Sequence, residues 1–420
     1  MGPVWRIKPF RLLFAGQLIS AVGSSLFMIA LFWYVEQTTH RPQSVVLLGF
    51  LMSLPQLGTM LTGVVADRFD RRKVMLVTDV LRFILVGILT GYVANGGKQL
   101  GIMAAIFLLL NILGEFFSPA AFALIPEVVP EDQLAQANGL MDSSSYFSNA
   151  VGAALGGLLI SVIGIAAIFG FDAFSFLVSV ASLGLLIRFM PSVHSEKKDA
   201  AGKPPTHWTK DLREGWHFLW DWPILRKLLP AILWSNLWYA PLFTLMPAWS
   251  AQVIHTGSQG YGFLEAALSV GLIVGGMTAG RVVQRLGIKK GLMLSLGLSV
   301  ILLAFPAVPR LWADLAVLSV YAFSNGITNT IFLTVIQKIT PNSAHGRVMG
   351  TMITLFGGLV PLGTAVAGVL VGFIGVHNTF WASAVAMSLG AGYIINVVRG
   401  CWGIAAVDHP QTAVEQASTS

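Results

Sequence analysis

The chain has 420 residues, of which 55% are hydrophobic and only 11% charged. Soluble domains carry about 25% charged residues, so this chain lacks the polar surface that water-soluble domains of its length need. Its net charge of +7 would suit nucleic acid, but the cations sit in short gaps between apolar runs, which excludes that partner and points to an integral membrane protein.

A bilayer core about 30 Å thick takes roughly 20 apolar residues per helix. Runs of that length fall near 11–36, 44–66, 73–95, 99–125, 136–163 and 166–190. After a polar stretch at 191–222 they recur near 224–253, 260–284, 289–306, 311–337, 346–374 and 377–400. Helices are the expected form, because lipid offers the backbone no hydrogen-bond partners. The basic stretch from Trp5 to Arg11 precedes an apolar run too long for the core of a cleaved signal, so the first run is expected to remain as a helix.

With the N-terminus in the cytoplasm, Arg41, Lys98 and Arg310 face outside and Arg82 lies within the third helix. The other 22 of 26 Lys and Arg then lie on the cytoplasmic side, as the positive-inside pattern requires. Four parts are expected: a six-helix bundle at 1–190, a cytoplasmic linker at 191–222, a second six-helix bundle at 223–400, and a disordered cytoplasmic tail at 401–420. Within the linker Trp208, Leu212, Trp216 and Leu219 recur at helical spacing, which suits a helix lying on the inner membrane surface. Trp33, Trp249, Trp312 and Trp381 fall near the outer interface, where tryptophans form belts.

The two halves repeat. Shifted by 217 residues, "GVVADRFDRRK" (63–73) meets "GRVVQRLGIKK" (280–290), pairing Gly63 with Gly280 and Arg68 with Arg285. Shifted by 211, Gly139, Gly152, Gly157 and Gly164 meet Gly350, Gly363, Gly368 and Gly375. Parallel six-helix halves with the binding site between them form a transporter architecture.

On these residues the chain resembles the major facilitator superfamily along its whole length. "GVVADRFDRRK" is similar to the family's signature loop between helices 2 and 3, with Asp70 in place of a glycine. "GAALGG" (152–157) is similar to the helix-5 antiporter motif, with Ala153 in place of a proline. "PAAFALIPEVVPEDQLAQANGL", "FGFDAFSFLVS" and "DLREGWHFL" resemble the bacterial drug- and siderophore-exporter branch, the macrolide-efflux and enterobactin-exporter-like drug:proton antiporters. The resemblance implies an all-α integral membrane fold of twelve transmembrane helices in two pseudo-symmetric six-helix bundles.

Two readings of the loop charges stand side by side. In one, Arg68, Arg71, Arg72 and Lys73 only hold the loop inside. In the other, implied by the resemblance, Asp67 reaches a neighbouring helix and latches the cytoplasmic side, with Asp79 and Arg82, three apart on helix 3, taking part. An ionised carboxylate as deep as Glu115 is costly unless it faces protein or a wet cavity. It reads either as a hydrogen-bonded packing residue or as the proton site. Glu36 reads as interfacial, Glu265 as an acid of outer helix 8, and Asp172 as a cap of helix 6.

By resemblance, helices 1, 4, 7 and 10 line a central cavity. There Gln17, Ser24, Asn111, Trp234, Trp238, Tyr321, Asn325 and Asn329 are the candidate lining, suited to an amphipathic organic molecule. Each also has a plainer reading as an interhelical hydrogen bond or aromatic packing. Gly152, Gly156 and Gly157 let helix 5 approach a neighbour closely. The single cysteine, Cys401, excludes a cysteine-based metal site, and no HExxH, Walker or nucleophile-elbow motif appears, so no enzyme activity, metal or cofactor is expected. The expected partners are a small amphipathic substrate, protons and the lipid bilayer, around a monomer in a bacterial-type inner membrane with both termini cytoplasmic. The reading is proton-coupled efflux of drugs, macrolides or siderophores by alternating access. The alternatives are a lipid flippase or uptake carrier of the same fold, or a non-transporting sensor or scaffold.

Overall fold

The computed structural model describes residues 3–55, 70–189, 216, 220, 223–340 and 345–401. Asp67 and Arg68, most of the expected linker and all of the tail beyond Cys401 lie outside the described residues.

Among the described residues every regular element is helical. Helix α1 (Lys8–Thr39) starts on Pro9, whose fixed φ suits a first turn. It ends at His40, which turns into the left-handed region at φ 51° while its N–H donates to the Glu36 carbonyl. Helix α2 (Pro42–Ser53) follows at once, again with proline in its first turn. Then come α3 (Arg71–Ala94), α4 (Leu100–Val128), α5 (Leu134–Ile163) and α6 (Ile165–Phe189). In the later part α7 (Pro223–Thr244) bends by 46° into a short stretch, Met246–Val253, that contains a π-turn.

Two long helical runs each hold two helices. Gly257–Ser299 breaks at Gly287 (φ 75°, ψ 165°) into α8 (257–286) and α9 (288–299). His345–Cys401 breaks at Gly375 (φ 76°, ψ 173°) into α11 (345–374) and α12 (376–401), with α10 (Leu311–Ile339) before it. Only glycine turns this sharply without strain. Gly164, between α5 and α6, has nearly the same angles as Gly375, its partner at the 211-residue shift (φ 80°, ψ 165°). The α4 and α10 helices are both 29 residues long and lie at the same shift. The repeat read in the sequence is therefore present in the backbone. Among the described residues eight runs are long and apolar enough to cross a membrane, and nine if the bent α7 is one span.

The chain forms two compact units. The first holds residues up to Ala201 together with Thr244–Ala266, and the second holds Gly202–Phe243 and everything from Ala267. In the first, α1 packs along α6 and α5, and α3 along α6 and α4. A core cluster in it joins Phe10, Leu13, Met75, Leu124 and Leu186. The second unit has its own cluster, including Leu292, Ile331, Val335 and Val398. Large apolar side chains such as Phe373, 85% exposed, Met277 and Val162 stand on the outside. Lipid chains solvate such residues, so contact inside the bundles rests on close packing and hydrogen bonds rather than on apolar burial alone. Of the tryptophans expected near the outer interface, Trp312 is exposed, whereas Trp33 and Trp249 are buried among helices of the first unit. Trp33 stacks on Tyr261 with ring centroids 6.4 Å apart.

Candidate functional site

The charges that open α3 are organised locally. Asp70 caps the helix, its carboxylate accepting from the Arg72 N–H at 3.0 Å. Arg71 reaches the far end of α4, where it donates to Glu127 and to the Ala123 carbonyl, each at 2.8 Å. Arg72 is buried between Asp70 at 3.7 Å and Glu127 at 3.9 Å, and Lys73 is exposed. The carboxylate that gathers the described arginines is thus Glu127. The sequence reading passed over it, although it stands in "PEVVPED" between two prolines that mark a helix end.

Two turns into α3 lies a buried charge cluster. Asp79 is wholly buried, accepting from Ser179 of α6 at 2.6 Å and pairing with Arg82 at 3.5 Å. The Arg82 guanidinium also lies over the rings of Phe117 and Phe176, 5.0 and 5.6 Å from their centroids. A Cβ added at Gly114 would meet its Nη2 at 2.9 Å, so α4 closes over it. Asp172 and Glu115 act on the same guanidinium at longer range. Asp172 does not cap α6 as expected. It sits well inside the helix, 1% exposed, where Ser24 donates to Oδ1 from α1 at 3.2 Å and Ser175 from its own helix at 3.3 Å. Glu115 is half-buried on α4, and Pro119 one turn on has no N–H for its carbonyl. Arg82 therefore stands among α1, α3, α4 and α6 as the guanidinium that three acids share.

The second unit holds a cavity of about 400 Å³, within the range of small-molecule sites. Tyr321, Asn325 and Asn329 of α10 line it, joined by Asn236 and Tyr239 of α7 and Ser299 of α9. Among the described residues no charged side chain lines it. Asn325 donates to the Tyr321 hydroxyl at 3.5 Å. Trp234 and Trp238 are not in its wall: the Trp234 indole donates to the Ala386 carbonyl at 2.8 Å, and the two rings lie 5.7 Å apart. In the first unit Ser24 is engaged with Asp172, Asn111 donates back to the Phe107 carbonyl of its own helix, and Gln17 is half-buried.

The helix-5 glycines make close contacts. A Cβ at Gly156 would meet Ile29 Cγ2 at 2.8 Å, one at Gly152 would run into Ser25, and one at Gly157 would lie 2.9 Å from the Gly262 Cα. Around this contact the segment 244–266 is tied to α1 and α5 by polar bonds. Gln252 donates to Glu36 at 2.7 Å, Ser258 to the Gly157 carbonyl at 3.2 Å, and Gln259 to Ser161 at 3.1 Å. Glu36, read from the sequence as interfacial, is only 1% exposed, because Gln252 and its neighbours cover it. Glu265 is also buried.

Comparison with known proteins agrees with this architecture. A sequence model of the Major Facilitator Superfamily matches residues 13–357 and, again, 252–400. The multidrug efflux pump Tap of Mycolicibacterium fortuitum is 25% identical over 397 residues, covering 91% of this chain and 93% of that one. Tap of Mycobacterium tuberculosis H37Rv is 28% identical over 396 residues, covering 89% and 90%. The enterobactin exporter EntS of Escherichia coli O1:K1 is 26% identical over 394 residues, covering 91% and 88%. Among solved structures, a point mutant of the nucleoside transporter NupG superposes with a TM-score of 0.71 at 12% identity, over 93% of this chain and 100% of that one. A bacterial homologue of the iron transporter ferroportin, inward-facing, gives 0.67 at 16% identity, over 94% of this chain and 100% of that one. With the family profile spanning nearly the whole chain and the helices, glycine breaks and repeat all in place, this multi-pass membrane protein belongs to the Major Facilitator Superfamily.

Proposed function

We propose that the protein is a proton-coupled exporter of small amphipathic organic compounds, working by alternating access. The observation that carries this reading is the ionisable cluster of Asp79, Arg82, Glu115 and Asp172. Charged groups at that depth are costly in a membrane and mark ion or proton pathways. The cavity argues for the cargo: its amide, hydroxyl and aromatic lining, free of charge, suits a molecule with polar groups on an apolar frame. A phosphorylated or dicarboxylate cargo would call for a cationic clamp. Relatives that pump drugs or export enterobactin favour the outward direction.

In this reading the basic loops and both termini face the cytoplasm and the protein works as a monomer in a bacterial inner membrane. Asp67, Arg68, Arg71, Arg72 and Lys73 form the charged latch of the cytoplasmic side, with Glu127 as the carboxylate that Arg71 engages. Glu115, half-buried beside Arg82, is the acid that exchanges protons with water. Reconstituted into vesicles and loaded with a fluorescent cationic dye, the protein should drive dye movement that speeds up when a pH gradient is imposed. It should slow to the unenergised rate in Glu115→Gln. Dye movement indifferent to the gradient in the unaltered protein would sink the reading.

A further inference from the structure

Arg82 is one cation facing two carboxylates that are both buried. Asp79 holds it directly at 3.5 Å and takes a further hydroxyl donor from Ser179. Asp172 faces the same guanidinium from farther off, and its near partners are two neutral hydroxyls, those of Ser24 and Ser175. Away from water, an ion left without a counter-charge costs several kcal/mol. One guanidinium neutralises one carboxylate, so the second is cheapest to bury as the neutral acid. Asp79 has the ion pair. Asp172 therefore holds the proton.

Resting on the proton-coupled reading above, we infer that Asp172 is the residue on which the transported proton is carried, with Arg82 as the switch that senses it. The surroundings of Asp172 fit this. From α3 it faces Arg82 and Asp79, from α4 the half-buried Glu115 through the same guanidinium, and from α1 Ser24. The titratable groups of α5, Asp142 and Tyr146, are exposed. Ser24 serves both states of the acid but the ionised one more strongly, since a hydroxyl accepts from a carboxylic acid and makes a charge-assisted bond to a carboxylate. When Asp172 is neutral, Arg82 belongs to Asp79. When the proton leaves Asp172 for the Glu115 carboxylate, and from there for water, the new negative charge draws the guanidinium toward α6. Because Arg82 lies between Phe117 of α4 and Phe176 of α6, that movement shifts the packing of two helices. The proton is thereby converted into a displacement inside the bundle.

The test uses the full-length protein. Asp172→Asn mimics the neutral acid and should leave the protein folded. In weakly buffered detergent, adding a fluorescent cationic dye should release protons from the unaltered protein and none from Asp172→Asn, whose dye affinity should no longer change with pH. In vesicles the variant should still exchange dye across the membrane but lose all response to a pH gradient. Gradient-driven efflux or proton release that persists in Asp172→Asn overturns the inference. A second variant guards against misfolding: Ser24→Ala removes a donor that favours the ionised acid, so the pH midpoint of gradient-driven efflux should move upward. An unmoved midpoint also overturns the inference. If instead the unaltered protein ignores the gradient, it is the proton-coupled reading that falls.

Discussion

The third helix of each half starts at the same point of the repeat, yet α3 and α9 are furnished in opposite ways. At the 217-residue shift Asp79 corresponds to Leu296 and Arg82 to Ser299. The first pair is a buried ion pair, and the second pair lines the cavity. The difference extends to the neighbours. At the 211-residue shift Asp172 corresponds to Ser383, and Gly114, which lets α4 close over Arg82, corresponds to Asn325 in the cavity wall. The first unit carries charge at these positions, whereas the second carries neutral side chains there, several of which line its cavity. On the proposed function, the two halves of one duplicated fold would divide proton handling and cargo handling between them.

The harshest way to probe this contrast is to give α3 the residues of α9. Arg82→Ser alone leaves the Asp79 carboxylate buried with no counter-charge, and breaking such a pair from one side costs about 3–5 kcal/mol. It should lower the yield of inserted protein and its thermal stability in detergent by the largest margin of any change considered. Adding Asp79→Leu removes the charge that was stranded, so the double variant should regain most of that stability while remaining unable to couple efflux to a proton gradient. Thermal melts of both, side by side with gradient-driven dye efflux, decide the matter. A double variant no more stable than the single one would mean that the pair is not the local charge balance it is taken to be.

The cavity wall offers a milder probe of the other unit. Asn325→Leu removes an amide that reaches the Tyr321 hydroxyl and faces the cavity. A hydrogen bond of that kind is worth about 0.5–1.5 kcal/mol net. The variant should weaken binding of cargo that carries polar groups by about 2- to 10-fold, on that scale, and alter the ranking of cargoes. Its response to the pH gradient should be unchanged. Titration of dye fluorescence measures the first, vesicle efflux the second. Lost coupling with unaltered affinity would contradict the division between the two units.

The sequence made this architecture legible far better than it made the site legible. Helices and their breaks are local: an apolar run of bilayer length, a glycine at Gly164 or Gly375 and a proline at the start of α2 each carry their meaning within a few residues. The buried partnerships are not local. Ser179 lies 100 residues from Asp79, Ser24 lies 148 from Asp172, and Gln252 lies 216 from Glu36. Near the expected start of helix 6, Asp172 read as a cap because nothing in its neighbourhood names a serine on α1. Glu36 read as interfacial because its position near the end of an apolar run says nothing of what covers it. Arg82 was legible as an intramembrane cation, and its i,i+3 partner Asp79 with it, because the two sit within one helical turn.

The gentlest test returns to where the two third helices begin. Asp70 corresponds to Gly287, and the two residues solve one problem by different chemistry. Gly287 turns the chain into α9 with a backbone conformation that other residues resist (φ 75°, ψ 165°). Asp70 keeps an ordinary extended backbone (φ −61°, ψ 113°) and steadies the first turn of α3 with its carboxylate. Loss of such a cap to alanine costs about 1 kcal/mol, and to glycine only a few tenths. Asp70→Gly should therefore be nearly silent in a thermal melt, and Asp70→Ala visibly worse. The side chain has a second partner, since Arg72 lies 3.7 Å away and shares Glu127. If Asp70→Gly proves as damaging as Asp70→Ala, it is the charge facing Arg72 that matters at this position, and the two turns are less alike than their place in the repeat suggests. If Asp70→Gly is silent, the aspartate is one of two interchangeable ways to start the same helix.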